Sequence, residues 1–225
     1  MAMGRVEERP NPQKLTWWWI LVGILIVLAY AARASGGKPA DDVLYQWGTA
    51  IAAALLYAIV LGFLLLIARG ESARDLFALR PPRSWHRALG WAIVVFVLVL
   101  AIGAALDPLL HAGEEQGLTP SGWDSDRAAA FAANVVVVAG IAPVVEELTY
   151  RGLGFSLLRP YGVASAIIGV GIAFGLAHGL IEALPILSLF GIGLAWLRER
   201  TDSVYPPILL HAAFNGFALA ASVAF

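Results

Sequence analysis

Three short stretches place ionisable or amide side chains among apolar residues. They are Glu146-Glu147 with Arg151, Phe174 with His178, and His211 with Asn215. Carboxylates and imidazoles move protons near neutral pH, and imidazole and amide N–H groups stabilise a developing oxyanion. Together these residues could build a site in which a glutamate acts as general base beside an oxyanion hole. On a helix, Glu147 and Arg151 are four apart and meet on one face. A carboxylate paired with a guanidinium can sit in a low-dielectric place that an isolated charge cannot. Glu146 points about 100° away from Glu147 and finds no cation on its own helix. This spacing gives Glu147 and Arg151 a structural role and Glu146 a chemical one.

Each stretch also has a plainer reading. Glu146, Glu147 and Arg151 could form one interhelical ion network without chemistry. His178 alone is a core histidine more often than a catalyst. His211 and Asn215, again four apart, could be packing contacts worth about 0.6–2 kcal/mol each. In combination, within three apolar helices, the three stretches favour a catalytic site. Pro143 should kink the helix just before Glu146, because it lacks an N–H and clashes with the preceding turn.

The elements that position these residues are apolar runs. Of 225 residues 60% are hydrophobic and 14% charged, against about 45–50% and 25% in soluble domains. That composition excludes an ordinary cytosolic enzyme and a disordered protein. Fifteen basic against sixteen acidic residues leave no basic surface for nucleic acid. The chain has no cysteine, which excludes disulfides, thiol nucleophiles and cysteine-ligated metal. Runs begin at Trp17, Val43, Ala88, Ala128, Tyr161, Ala183 and Val204. Their length reads as transmembrane helices, the form in which lipid leaves no backbone group unpaired. The expected fold is all-α, a polytopic transmembrane bundle of about seven helices in one membrane-embedded domain, 1–225. Residues 1–120 hold three N-terminal spans and a basic loop, and residues 125–217 hold the three motifs.

Loop charge orients the bundle. With the N-terminus cytoplasmic, Arg5, Arg9, Lys14, the arginines from Arg69 to Arg87, Arg151, Arg159, Arg198 and Arg200 lie inside. Only Arg33, Lys38 and Arg127 lie outside, a strong positive-inside bias. The basic connector Arg69 to Arg87 should rest on the anionic leaflet. Trp17, Trp18 and Trp19 read as an interfacial aromatic belt. Ala32-Arg33-Ala34 also fits a signal-peptide cleavage site, which would leave six spans. Asn134 reads as an interhelical hydrogen bonder, and Gly171, Gly175 and Gly179 as a stripe that lets helices approach closely.

At the three stretches the chain resembles the CPBP family of intramembrane proteases, the CAAX protease and bacteriocin-processing family also called Abi. Its pattern, E-E-x-x-x-R, F-x-x-x-H and H-x-x-x-N on successive helices, is met in order across about residues 125–217. The resemblance implies that Glu146 activates a water held together with His178. It implies that His211 and Asn215 stabilise the oxyanion at the scissile carbonyl, while Glu147 and Arg151 hold the site together beside Phe174. The implied activity is an intramembrane endopeptidase of the cell membrane, cutting a membrane-associated or lipidated peptide or protein. Family members are often labelled metalloproteases. The expectation here is no cofactor, since a glutamate-activated water needs no metal and the local H-E-x-x-H signature is absent. If zinc were bound, Glu146, His178 and His211 would be its ligands.

Depth sets one further expectation. A fourth helix ending at Arg151 would leave Glu146 about 7 Å from its end and His178 about 22 Å from that side, too far to share a water. Helical structure should therefore continue through Phe155 to Arg159, as a longer helix or as one broken at Gly152 or Gly154. The competing function is a non-catalytic membrane scaffold or bacteriocin self-immunity protein that binds a partner through the same polar cluster. A transport pathway is weaker, because no inverted repeat is visible.

Overall fold

The computed structural model describes residues 11–36, 42–111, 115 and 122–224. Arg5, Arg9 and Lys38 lie outside the described residues, as does part of the acidic stretch between Asp107 and Asp126. Among the described residues the chain is all-helical. The helices are α1 (Pro12–Ser35), α2 (Trp47–Ala68), a short α3 (Ala73–Leu76), α4 (Trp85–Leu110), a long α5 (Ala128–Tyr161), α6 (Val163–Leu176), α7 (Leu184–Thr201) and α8 (Tyr205–Ala224). Local signals start several of them. Asn11 accepts the backbone N–H of Lys14 ahead of Pro12 in α1, and Ser84 accepts that of Arg87 in α4.

Seven helices run alternately between two ends of a bundle. At one end Lys14 pairs with Glu71, Arg80 with Asp202 and Arg159 with Glu199, which gathers the start of α1 and the ends of α2, α5 and α7. At the other end Arg33 pairs with Glu115 and Arg127 with Asp42. Of the arginines expected on one side, Arg80, Arg159 and Arg198 lie at this common end. Arg151 does not, for it is fully buried within α5 and paired with Glu147 instead of lying in a loop.

Five of the seven expected spans, α1, α2, α4, α5 and α8, are long and apolar enough to cross a bilayer. The chain is a multi-pass integral membrane protein on that ground. The other two spans fall short. α6 has 14 residues and stops at Leu176, before the expected Gly179. α7 has 18 residues, but its last turns carry Arg198, Glu199 and Arg200. Both helices are largely enclosed by protein and pack on each other. A Cβ on Gly171 would lie 2.7 Å from the Ile192 nitrogen, and one on Gly175 3.0 Å from that of Ser188. The glycine stripe therefore lets the α6 and α7 backbones meet closely, and Phe174, Phe190, Leu194 and Leu197 fill the core around them.

α5 is one continuous element of 34 residues, as the depth argument requires. It is not uniform, for two π-helical segments, Val137–Ile141 and Leu148–Gly154, flank an α-helical stretch at Ala142–Glu147. Each π segment widens the helix and turns the following residues to a new face. Pro143 follows the first segment, which opens the turn where its missing N–H and its ring would disrupt a regular helix. The second segment lies directly after Glu147 and contains Arg151.

The three tryptophans divide. Trp17 and Trp19 are exposed, but Trp18 is fully buried and donates its indole N–H to the Thr149 carbonyl at 2.8 Å. A Cβ on Gly154 would overlap the Trp18 ring, so glycine there makes its socket. Trp18 is a clasp between α1 and the second π segment rather than part of a belt. Asn134 donates to the carbonyls of Leu44 and Gln46 at 2.9 and 3.0 Å, and so ties α5 to the turn ahead of α2.

Candidate active site

Glu146, Glu147, Arg151, Phe174, His178 and His211 gather in one region, while Asn215 meets α5 at Val138, and the two glutamates have opposite surroundings. Glu147 is fully buried. Its Oε1 accepts from Arg151 Nη1 at 2.9 Å and lies 2.9 Å from His211 Nδ1, so one oxygen joins α5 to α8. Arg151, also fully buried, donates through Nη2 to the Gly191 carbonyl of α7 at 2.7 Å. Its guanidinium lies 4.6 Å above the Phe174 ring centre, which adds α6 to the same knot. The Phe174 ring meets the His178 and His211 rings edge-on at 4.6 and 5.5 Å. Four helices are thus held by one buried charge pair and one aromatic ring. Sequence spacing indicated the Glu147–Arg151 pair. It could not indicate His211 and Gly191, which reach the pair only in the folded bundle.

Glu146 instead lines a cavity of about 410 Å³. The opposite walls are Leu25, Leu28 and Ala29 of α1 and Leu56, Tyr57 and Val60 of α2, with Tyr150, Thr149 and His178 beside the glutamate. Glu146 Oε1 accepts from the Tyr57 hydroxyl at 2.5 Å, and its Oε2 lies 3.8 Å from His211 Nε2. A separation of 3.8 Å is too long for a direct hydrogen bond.

His178 lies just beyond the end of α6, in the turn Ala177–Gly179. Its Nδ1 is 2.8 Å from the Phe174 carbonyl, so in the neutral ring Nδ1 carries the proton and Nε2 is left with a free lone pair. The turn has its own anchor. Glu115 accepts the backbone N–H groups of Ile181, Glu182 and Ala183 at 2.9, 2.7 and 2.9 Å and pairs with Arg33. Burial pushes the Glu115 carboxyl up, but the three N–H donors and Arg33 outweigh it and hold it below the usual range.

Asn215 donates from Nδ2 to the Val138 carbonyl at 2.9 Å, inside the first π segment. That amide nitrogen carries a second proton, which this bond does not use. Among the described residues, no three His, Asp or Glu side chains converge as a metal site requires. His211 turns Nδ1 toward Glu147, and His178 turns Nδ1 toward a carbonyl.

Residues 128–217 match the family model described as type II CAAX prenyl endopeptidase Rce1-like. Over this segment the chain is similar to CAAX proteases. The match runs from the start of α5 into α8 and so contains Glu146, Glu147, Arg151, Phe174, His178, His211 and Asn215. No curated protein and no solved structure matches the chain. The matched segment supplies one side of the cavity. The other side comes from α1 and α2, outside the match, where sequence reading found only hydropathy. Tyr57 was missed there, since an isolated aromatic residue in an apolar helix carries no spacing signal, and Trp18 was read as part of a belt.

Proposed function

We propose that the chain is an intramembrane endopeptidase in which Glu146 and His178 activate a water at the buried cavity. The observation that carries this reading is the contrast within the glutamate pair. Glu147 is sealed in a salt-bridged knot, while Glu146 opens into a cavity that it shares with His178. A carboxylate with one unused oxygen and an imidazole with a free Nε2 lone pair are two acceptors for one water. The water's hydroxyl adds to the scissile carbonyl carbon, and its proton passes through Glu146 to the leaving amine as the C–N bond breaks. The second N–H of Asn215 and the Nε2 edge of His211 would serve the oxyanion. Glu147 and Arg151 hold these parts in register.

The family description supports a peptide as substrate, one that ends in a CAAX-type sequence or lies in the membrane. The apolar α1 and α2 walls suit a lipidated or membrane-embedded segment. The basic end faces the cytosol, by the positive-inside bias, in the cell membrane. No metal is needed in this scheme. A test is to incubate purified protein in lipid nanodiscs with prenylated and unprenylated CAAX peptides and follow the products by mass spectrometry. The expected result is a pair of fragments whose summed mass exceeds the substrate by one water. A folded protein that cuts no member of the panel, but retains a membrane partner through the cluster, would favour the scaffold or self-immunity reading.

A further inference from the structure

Tyr57 lies on α2, outside the segment that matches the protease family, yet its hydroxyl makes the one direct side-chain hydrogen bond to Glu146 among the described residues. Resting on the proteolytic reading above, we propose that Tyr57 is a positioning residue for Glu146. It clamps one carboxylate oxygen so that the other is presented to the water.

The geometry separates the two oxygens. The 2.5 Å contact from Tyr57 to Oε1 is in the range of a charge-assisted O–H···O⁻ bond, short and directional. Oε2 has no hydrogen-bond partner among the described residues, with His211 Nε2 3.8 Å away. A glutamate carboxyl rotates freely about its last torsion unless something fixes it. Proton transfer to a positioned base tolerates misplacement of only a fraction of an ångström. One clamped oxygen and one unused oxygen on the same carboxylate meet that requirement. Tyr57 is half-buried at the wall of a largely apolar cavity, where Glu146 is the one side-chain partner its hydroxyl has among the described residues. Packing alone would be served as well by phenylalanine, so the hydroxyl is the feature to test. The bond spans the cavity from α2 to α5, and it makes the N-terminal half of the chain part of the reaction.

Two measurements test this on the full chain in nanodiscs. The first is steady-state cleavage by wild type and Tyr57→Phe, each checked for folding by thermal unfolding. A positioning role predicts that kcat falls about tenfold or more while KM stays within about twofold. The second needs no activity. Tyrosine is labelled at Cζ with carbon-13, and the resonance absent from Tyr57→Phe is assigned to Tyr57. It should move in Glu146→Leu and stay in place in a distant control such as Trp91→Phe. An unchanged kcat in Tyr57→Phe, a rise in KM alone, or a Tyr57 resonance indifferent to Glu146→Leu overturns the proposal. A wild type that cuts nothing removes the proteolytic reading and the role with it. In that case the resonance still shows whether the hydroxyl bond exists, so the two failures are told apart.

Discussion

Glu146 and Glu147 are adjacent in sequence, alike in chemistry and opposite in surroundings. Glu147 has no exposure and is bound by Arg151 and His211, with the Phe174 ring below the guanidinium. Glu146 has 18% of its side chain exposed and lines a cavity with His178. The difference arises from the helix itself. Consecutive residues point about 100° apart, and the second π segment starts immediately after the pair and reorients the turns beyond it. One face is thereby committed to holding four helices together, and the next face is left for a water and a substrate. Removing a group from the sealed face should cost stability. Removing one from the open face should cost activity at nearly constant stability.

The largest expected effect is on the open face. His178→Ala should lower the rate of cleavage by about 10²–10⁴-fold, the usual contribution of an acid–base group. Its unfolding temperature should stay near that of wild type, as judged by thermal scans in nanodiscs. A large loss of stability would move His178 to the sealed side of the comparison. On the sealed face, Arg151→Ala leaves Glu147 buried without its cation and should destabilise the fold by about 3–5 kcal/mol. The double variant Glu147→Gln with Arg151→Met removes both charges and should be less damaging than Arg151→Ala alone. Equal losses would mean that the pair is not the source of the cost.

A smaller effect tests the clasp behind the second π segment. Trp18→Phe leaves the Thr149 carbonyl without its donor and should cost about 1–3 kcal/mol, read as a lower unfolding temperature. The smallest effect lies at the wet end. Arg33 is partly exposed although Glu115 is not, and glutamine keeps one oxygen acceptor for the backbone N–H groups, so Glu115→Gln should cost only about 1 kcal/mol at neutral pH. The Glu115 carboxyl is held below its ordinary range. Its contribution is therefore present above about pH 4.3, the unfolded value, and is lost as pH falls through the lower folded value. Wild type and Glu115→Gln should converge in stability at acid pH, whereas the Arg151→Ala deficit should remain.

Much of the sealed face was legible in the sequence. Glu147 and Arg151 announce their pairing by spacing, and the apolar runs announce helices by length. The continuation of α5 past Arg151 to Arg159 followed from asking how Glu146 and His178 could share a depth. What the chain did not disclose depends on partners distant in sequence. Hydropathy does not distinguish an apolar helix facing lipid from one facing other helices. α6 and α7 therefore read as full spans, although close contact at Gly171, Gly175 and Gly191 lets them be shorter or more charged. Trp18 shares its composition with exposed Trp17 and Trp19, and only the socket at Gly154 sets it apart. Tyr57 lay in a run read only for its hydropathy, and its significance depends on a carboxylate 89 residues away. The π segments have no composition signal beyond Pro143 and the nearby glycines.

The most direct test of the contrast is to compare Glu146→Gln and Glu147→Gln side by side, each with and without a metal chelator, on the peptide panel. Glu146→Gln should abolish cleavage, with an unfolding temperature close to that of wild type and no effect of chelator on the wild-type rate. Glu147→Gln should unfold at clearly lower temperature and keep measurable cleavage in its folded fraction. Full activity in Glu146→Gln, or loss of both activity and fold in the two variants alike, would contradict the division of the glutamate pair.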